Sequence, residues 1–139
     1  MNKRAVGVIV RDDRILLMKR IKNGRSYLTF PGGSVEEGET EAEATVREMK
    51  EELSIDVTLG PLLFTLLVKE RMHYYYLVKD FTGDVVLGSA DELSNLDKNN
   101  QYIPLWLRLD TFRRARDLFP REAHRKVMEH LFHDNRQVA

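Results

Sequence analysis

Residues 33–55 constrain this chain more than any other segment. They begin within the sequence Pro31-Gly32-Gly33, which we term the glycine corner, and continue into a strongly acidic stretch. The segment carries eight glutamates and only two basic side chains. Within it, Thr40 and Glu43 have the spacing of a capping box, in which each side chain bonds the backbone N–H of the other residue. This pair predicts a helix that begins at Glu41.

A helical wheel, at about 100° per residue, separates two faces of the predicted helix. One face is apolar and predicts packing against a sheet: Ala42, Val46, Met49 and Leu53. Another face carries three carboxylates below the small Ala44: Glu48, Glu51 and Glu52. Like charges at this spacing repel, and a hard divalent cation would relieve the repulsion through oxygen ligands. The alternative is a solvated acidic face, in which Arg47 forms ion pairs one turn away with Glu43 and Glu51.

The corner before the helix favours a close approach of the backbone to a ligand. Pro31, Gly32 and Gly33 predict a tight turn that needs positive φ, and the Gly33 carbonyl is itself a candidate metal ligand. Magnesium usually shares its coordination shell with substrate phosphates, so the acidic cluster indicates phosphate chemistry rather than a closed structural site.

The complete spacing of the segment decides between the metal site and the solvated face. Gly33 is followed after five residues by Glu39, and after seven more by the run Arg47-Glu48-Met49-Lys50-Glu51-Glu52-Leu53-Ser54-Ile55. This pattern resembles the Nudix box, G-x5-E-x7-R-E-U-x-E-E-x-G-U with U aliphatic, over 23 of the 139 residues. The one departure is Ser54, which replaces a glycine just past the helix end. A left-handed backbone there would cost serine about 1 kcal/mol, and the alternative is a helix that ends differently.

The resemblance implies a MutT-like Nudix hydrolase. Its fold would be α/β, with a mixed β-sheet sandwiched between α-helices, in a single domain over residues 1–139. Its activity would be the hydrolysis of a pyrophosphate linkage in a nucleoside diphosphate derivative, by attack of water on phosphorus with Mg²⁺ or Mn²⁺ as cofactor. By their places in the box, Glu48 and Glu52 would hold the metal, and Glu51 would be a further ligand or the general base. Arg47 would orient a box glutamate, and Glu39 would reach the metal through water.

Basic residues near the amino-terminal end supply candidates for phosphate binding. The first 30 residues carry eight basic and two acidic side chains, and the next 30 carry two basic and nine acidic ones. Folding one segment over the other would place cations beside the acidic helix. Four candidates follow from charge alone: Lys19, Arg20, Lys22 and Arg25.

A polar stretch from Ser89 to Asn100 predicts a surface loop, and loops of this length often carry function. In the Nudix family an acidic loop residue can add a metal contact or act as base. Glu92 is the first candidate for this catalytic role and Asp97 the second. The alternative for both is a solvated loop acid.

The substrate is less constrained than the reaction. A nucleoside triphosphate or related nucleotide is the default expectation, with a diadenosine polyphosphate or a nucleotide sugar as alternatives. Nudix members specific for ADP-ribose tend to have a proline at the place of Arg71, and diadenosine polyphosphate hydrolases a tyrosine close to the place of Tyr74. A non-catalytic nucleotide sensor is disfavoured by the intact carboxylates, and isopentenyl diphosphate isomerase by the absence of cysteine.

Apolar runs and turn signals place the remaining elements. Strands are predicted as follows: Ala5–Val10 and Ile15–Arg20 as a hairpin, Tyr27–Phe30, Asp56–Glu70 broken at Gly60-Pro61, Met72–Asp80 after a turn containing Arg71, Val85–Leu87, and Gln101–Leu107. In the tyrosine run, Tyr75 is expected to face opposite to Tyr74 and Tyr76. Helices are predicted over Asp110–Leu118 and from Pro120 to about Phe132. The second helix has a predicted core-facing apolar stripe: Ala123, Val127, Met128, Leu131 and Phe132. His130 and His133 are expected to be surface residues.

Composition places the chain among ordinary globular proteins, with 42% hydrophobic and 32% charged residues. The absence of cysteine excludes disulfides and thiol chemistry, and no apolar run approaches the length of a membrane span. A cytoplasmic protein is therefore expected, with a small-molecule nucleotide as partner and without membrane or duplex nucleic acid. Pro104 predicts an exposed sheet edge in the last strand, which makes a homodimer a reasonable expectation.

Overall fold

The computed structural model of the protein describes residues 2–85 and 100–132. The strands in these ranges are β1 (Lys3–Val8), β2 (Val10–Arg11), β3 (Arg14–Lys22), β4 (Arg25–Thr29), β5 (Gly32–Ser34), β6 (Asp56–Val68), β7 (Arg71–Thr82) and β8 (Asn100–Arg108). The helices are α1 (Glu41–Leu53), α2 (Leu109–Arg114) and α3 (Arg121–Leu131). Glu92, Asp97 and His133 lie outside the described residues, as does most of the predicted strand at Val85–Leu87.

The strands form two sheets, so the α/β class with a mixed sheet is confirmed but the strands do not share one sheet. The first sheet has the order β5-β1-β7-β6, and its β1 and β7 are parallel. In the second sheet β3 pairs antiparallel with β2, β4 and β8. Pro104 of β8 pairs with Met18 of β3. In the described part of the chain β3 is the only strand partner of β8, as expected for an edge strand.

The predicted hairpin between Ala5–Val10 and Ile15–Arg20 is only partly correct. The chain changes sheets at Ile9, so that β1 joins the first sheet and only Val10 and Arg11 pair with β3. Asp12 and Asp13 form the turn, both with positive φ, which aspartate tolerates better than most residues. Local pattern shows where a strand is, whereas its partner is chosen by packing across the whole chain.

The main core joins the two sheets to the carboxyl-terminal helices. Its fully buried members include Val6 and Val8 of β1, Ile15 and Leu17 of β3, Phe112 of α2 and Val127 of α3. Tyr75 is buried in this core, whereas Tyr74 and Tyr76 are only half-buried, which confirms the predicted alternation. A second cluster packs α1 against the outer face of the sheet, and Trp106 packs against it with its ring 6.2 Å from that of Phe81.

Helix α1 begins as the capping box predicts. Glu43 N–H donates to Thr40 Oγ1 at 3.1 Å, and Thr40 N–H donates to Glu43 Oε1 at 2.9 Å. The helix ends at Leu53, and Ser54 follows with φ 62° and ψ 32°, so of the two alternatives the serine takes the left-handed conformation expected of the family glycine.

The predicted apolar stripe of α1 is wrong in half of its members. Ala44 and Thr45 are fully buried together with Met49 and Leu53, whereas Val46 is 40% exposed and Ala42 is only half-buried. The observed orientation of the helix brings the side chain of Glu48 against Gly33 and that of Glu52 within hydrogen-bonding distance of the Gly32 backbone.

The remaining elements differ from expectation in their bounds. β6 continues through Gly60-Pro61 as one strand, but its pairing with β7 shifts register across this pair, between Leu59 and Leu62. The turn after it consists of Lys69 and Glu70, both with positive φ, so Arg71 is the first residue of β7 rather than a turn residue.

The carboxyl-terminal helices show the same kind of difference. Helix α2 ends at Arg114, and Leu118 instead forms a bridge to Leu28 of β4. In α3, Ala123 and Val127 are buried as predicted, and buried His124 bonds the Phe112 carbonyl at 2.6 Å. His130 is exposed, as expected. In the described ranges no helix is long and apolar enough to cross a membrane.

Candidate active site

The glycine corner is a strand rather than the predicted tight turn. Gly32 and Gly33 pair antiparallel with Val6 and Ala5 of β1, and neither glycine has positive φ. Glycine is required here for space: a Cβ at Gly32 would lie 2.3 Å from the Ala5 carbonyl oxygen. A Cβ at Gly33 would lie 2.3 Å from the carboxylate of Glu48. The corner therefore brings bare backbone against a box carboxylate.

Glu52 lies on the same side of α1, one turn after Glu48. Burial raises the pKa of the Glu52 carboxyl to about 7. The negative charge of Glu48 raises it further, while Arg4 and a backbone hydrogen bond from Gly32 act in the opposite direction. Glu52 thus combines a low-dielectric site with a like-charged neighbour, the condition that a bound cation would relieve.

Arg47 organises the acidic residues around the corner. Its Nε and Nη2 donate to the two carboxylate oxygens of Glu39 at 2.7 and 3.0 Å. Its Nη1 donates to Glu48 Oε1 and to Glu51 Oε2, both at 2.9 Å, and Nη2 also donates to the Ser34 carbonyl. These carboxylates raise the pKa of Arg47 above its usual range, with Glu39 as the largest cause.

The partners of Arg47 differ from those that helix spacing suggested. Glu43 is engaged in the capping box, and Arg47 instead binds Glu39, eight residues earlier, as well as the expected Glu51. The Arg47 hydrogen bond lowers the pKa of the Glu39 carboxyl, which also accepts from the Glu36 backbone N–H. Glu39 therefore faces the arginine in this structure, whereas the sequence suggested a water-mediated contact with metal.

The donor set fits a hard divalent cation. Glu48, Glu52 and the backbone at Gly33 offer oxygen atoms at one corner, and Mg²⁺ or Mn²⁺ prefers oxygen ligands. Glu51, by contrast, is 59% exposed and bound to Arg47. Among the described residues, no group of three acidic, histidine or cysteine side chains is already gathered in the geometry of a metal site. The ligand roles assigned to the three glutamates remain predictions.

The four basic residues proposed for phosphate binding lie on the β3–β4 hairpin of the second sheet. None of them forms a hydrogen bond or ion pair with the box in the part of the chain that the structure describes. Arg20 is buried, bonds the carbonyls of Ile21 and Gln101, and stacks 4.1 Å from the Tyr102 ring centroid. Its guanidinium thus has a structural role. Lys22 and Arg25 line a cavity of about 640 Å³ with Tyr27 and Phe119.

Sequence reasoning missed the cations that do lie beside the box. Arg4 pairs with Ser34 across β1 and β5 and acts electrostatically on Glu52. Arg71 donates to the Ser34 hydroxyl from β7. Both were overlooked because Arg4 and Arg71 are 67 residues apart in sequence. Only the parallel pairing of β1 with β7 brings their charges close to each other. The sequence signal for Arg71 was its position, where Nudix members specific for ADP-ribose tend to have a proline.

Sequence comparison finds similarity to one protein family over most of the chain. A family model of the NUDIX domain matches residues 1–131. The chain is 50% identical over 102 residues to an ADP-ribose pyrophosphatase from Methanocaldococcus jannaschii, covering 68% of this chain and 60% of that protein. It is 44% identical over 55 residues to a CTP pyrophosphohydrolase from Escherichia coli, covering 38% of this chain and 41% of that protein. The chain thus spans 41 to 60% of the length of these two curated relatives.

Solved structures extend the similarity to nearly the whole chain. A MutT NUDIX hydrolase from Burkholderia pseudomallei has a TM-score of 0.71 and 26% identity, covering 91% of this chain and 97% of that one. The Escherichia coli ORF135 protein has a TM-score of 0.70 and 26% identity, covering 98% of this chain and 93% of that one. An ADP compounds hydrolase shares the fold, with a TM-score of 0.71 and 20% identity.

Proposed function

Because this chain belongs to the NUDIX domain family, we propose that it is a metal-dependent hydrolase that cleaves the pyrophosphate linkage of a nucleotide. The relatives at 50% and 44% identity carry the names of pyrophosphate-cleaving enzymes, and the box, which matches at every position but Ser54, supports the same reaction for this chain. Their matched segments cover only part of each protein, so activity, substrate and partners are inferred here from the site.

The observation that carries the proposal is the contact between Glu48 and the backbone of Gly33. The carboxylate fills the space that any larger residue at position 33 would need. A glutamate on a solvated helix face does not need to pack against a glycine backbone, whereas a glutamate that binds metal must be held in one position. Glu52 beside it is half-buried and like-charged, and both features favour a cation between the two carboxylates.

The reaction that we propose is a displacement at phosphorus. A water oxygen forms a bond to one phosphorus atom, the bond from that phosphorus to the bridging oxygen breaks, and the leaving phosphate keeps the electron pair. A basic group takes a proton from the water. Bound Mg²⁺ or Mn²⁺ would neutralise phosphate charge and lower the pKa of a coordinated water.

The residues of the chain position these groups. Glu48, Glu52 and the Gly33 carbonyl would hold the metal. Arg47 fixes the side chain of Glu48 through Nη1 and leaves Glu48 Oε2 beside Gly33. Glu51 is exposed and forms an ion pair with the same arginine. From this position it would act as a further ligand or as the base. A loop acid, with Glu92 before Asp97, is a further candidate for the base.

A nucleoside triphosphate or related nucleotide remains the default substrate. ADP-ribose is a second candidate, because the relative with 50% identity carries the name ADP-ribose pyrophosphatase. Arg71 argues against it, since the resemblance places a proline there in members specific for ADP-ribose. We also propose that residues 1–139 form one domain that acts on free nucleotides.

The test is a panel of nucleoside triphosphates, ADP-ribose, nucleotide sugars and diadenosine polyphosphates, assayed with Mg²⁺ or Mn²⁺ for released phosphate or pyrophosphate. Glu52→Gln should remain folded and lose turnover. Glu122→Gln, on the exposed surface of α3, is the matched control and should retain it. Metal-independent turnover, or full activity of the Glu52 variant, would contradict the proposal. A folded protein that binds these nucleotides without cleaving any of them would identify a nucleotide sensor.

A further inference from the structure

Two arginines and a histidine lie together at one end of the first sheet. Arg4 of β1 and His73 of β7 are register partners, and Ser34 of β5 pairs with Arg4 on its other side. Arg71 is two residues before His73 on β7, so its side chain leaves the same face of the sheet. These three residues, Arg4, Arg71 and His73, form what we term the arginine–histidine cluster.

The cluster is connected to the box through Ser34. Arg71 Nη2 donates to the Ser34 hydroxyl, and Arg47 Nη2 donates to the carbonyl of the same residue. Arg4 Nη2 donates to the Phe30 carbonyl at 3.2 Å. The guanidiniums are therefore held at a fixed place beside the glycine corner.

The cluster contains polar atoms that no protein group satisfies. Arg71 Nε and His73 Nδ1 are both buried and have no hydrogen-bond partner within the described residues. His73 is only 8% exposed. Buried polar atoms in native proteins almost always have a partner, so two such atoms without one, in neighbouring side chains, indicate a ligand that the protein chain does not supply.

The charge of the cluster specifies the kind of ligand. Burial lowers the pKa of Arg71, and the positive charge of Arg4 lowers it further. Two guanidiniums have been brought close enough to repel, and in the described part of the chain no ion pair joins either of them to a carboxylate. An anion with several acceptor oxygens would remove the repulsion and satisfy the free donors together.

We propose that Arg4, Arg71 and His73 form a binding site for an oxyanion, a phosphate group, adjacent to the box carboxylates. If the proposed function is correct, this group is a phosphate of the nucleotide that the metal does not hold, and the cluster positions the substrate across the glycine corner. The alternative source of the same chemistry is free inorganic phosphate, a product of the reaction. The residues named here are not those that the basic amino-terminal segment suggested.

The direct test is binding in the absence of metal, so that it does not depend on turnover. Wild-type protein in EDTA is titrated separately with inorganic phosphate, with AMP and with adenosine, while NMR follows the Arg71 Nε–H and the His73 ring nitrogens. Phosphate and AMP should shift these signals, and adenosine should not. Unchanged signals with phosphate and AMP would overturn the proposal, as would shifts caused by adenosine alone. Tighter binding of AMP than of phosphate identifies the nucleotide as the ligand, and equal binding identifies free phosphate.

Variants test the assignment to individual residues. Arg71→Met should weaken the binding of phosphate about tenfold, since a charge-assisted hydrogen bond is lost. His73→Phe should weaken it less, because histidine contributes one neutral donor. Arg14→Met, at an exposed arginine of β3, makes the same change of charge and should bind as wild type. Equal weakening of phosphate binding by Arg14→Met and Arg71→Met would mean that the effect comes from net charge alone, and it would overturn the proposed site.

The two proposals fail in different ways. If only the oxyanion proposal is wrong, the protein still hydrolyses its substrate with metal, and this activity depends less on Arg71. Absence of hydrolysis in every assay, together with phosphate-dependent shifts at Arg71 and His73, would remove the proposed reaction and retain the oxyanion site.

Discussion

The carboxylate of Glu48 occupies the space in which a side chain on Gly33 would stand, since a Cβ there would lie 2.3 Å from both Glu48 Cδ and Oε2. The glycine is therefore a steric requirement of the site, and its backbone conformation is one that any residue adopts. This distinction leads to a substitution that should damage the site without unfolding the strand.

Gly33→Ala should fold and should lower metal-dependent turnover by at least about 100-fold, because the methyl group displaces the Glu48 carboxylate. Far-UV circular dichroism and kinetics on the best substrate of the panel measure the two effects. Gly60→Ala is the control, since the atoms nearest to a Cβ there belong to Leu77, whose carbonyl oxygen would be 3.2 Å away, and to Lys79, not to a box carboxylate. That variant should lose stability and keep turnover, and a Gly33 variant with normal kcat would contradict the assignment.

Arg47→Lys should lower turnover about 10- to 100-fold, because lysine cannot make the forked contact with Glu39 while also fixing Glu48 and Glu51. Arg125→Lys is matched to it, since Arg125 also bridges two glutamates, Glu122 and Glu129, on exposed α3. Steady-state kinetics of both variants measure the difference. Equal losses of turnover in the two variants would mean that Arg47 forms only ordinary surface ion pairs.

Ser54→Gly should stabilise the protein by about 1 kcal/mol, because the serine holds φ 62° at the end of α1. The change restores the residue that the box pattern favours, and turnover should not change because Ser54 supplies no side chain to the site. Urea unfolding measures the difference. Ser26→Gly, in the extended strand β4, should have the opposite sign, and a destabilised Ser54 variant would show that its hydroxyl has a contact that outweighs the backbone cost.

Elements encoded by nearby residues could be predicted from sequence. The start of α1 depends on Thr40 and Glu43, three residues apart, and its left-handed end depends on a single position, Ser54. The box glutamates could be assigned to one region for the same reason, because a helix fixes the relative places of residues three and four apart.

Features that depend on distant partners could not be predicted. The change of sheet at Ile9 is decided by the pairing of β1 with β7, far away in the chain. Arg4 and Arg71 meet through the same pairing, whereas the candidates chosen by charge, such as Arg20, lie on the other sheet. Arg47 binds Glu39 because Glu43 is already used by the capping box, a competition that helix spacing alone does not reveal.

His73 should make stability depend on pH in the acidic range. Burial, followed by Arg4 and Arg71, lowers its pKa from 6.5 to about 4, so the folded protein keeps this histidine neutral. Its contribution to stability is complete above pH 6.5 and is lost as the pH falls toward 4, because the unfolded chain takes up the proton first. In His73→Gln the fall in the free energy of unfolding over this range should be shallower, as measured by urea unfolding. Parallel curves for the two proteins would contradict the burial of a neutral histidine.

Glu52→Gln should stabilise the metal-free protein above pH 7, by ~1–3 kcal/mol, because a half-buried carboxyl with pKa about 7 is ionised there beside Glu48. The amide oxygen can still accept the hydrogen bond from the Gly32 backbone, so the variant loses the charge without losing that contact. Adding Mg²⁺ should raise the melting temperature of the wild type and leave that of the variant nearly unchanged, because only the wild type gains from a cation between the carboxylates. The measurement is thermal unfolding at pH 8 in EDTA and in Mg²⁺, with Glu122→Gln as the control for loss of one exposed carboxylate. Equal stabilisation of both proteins by Mg²⁺ would place the metal elsewhere, and a destabilised variant in EDTA would mean that Arg4 already compensates the charge of Glu52.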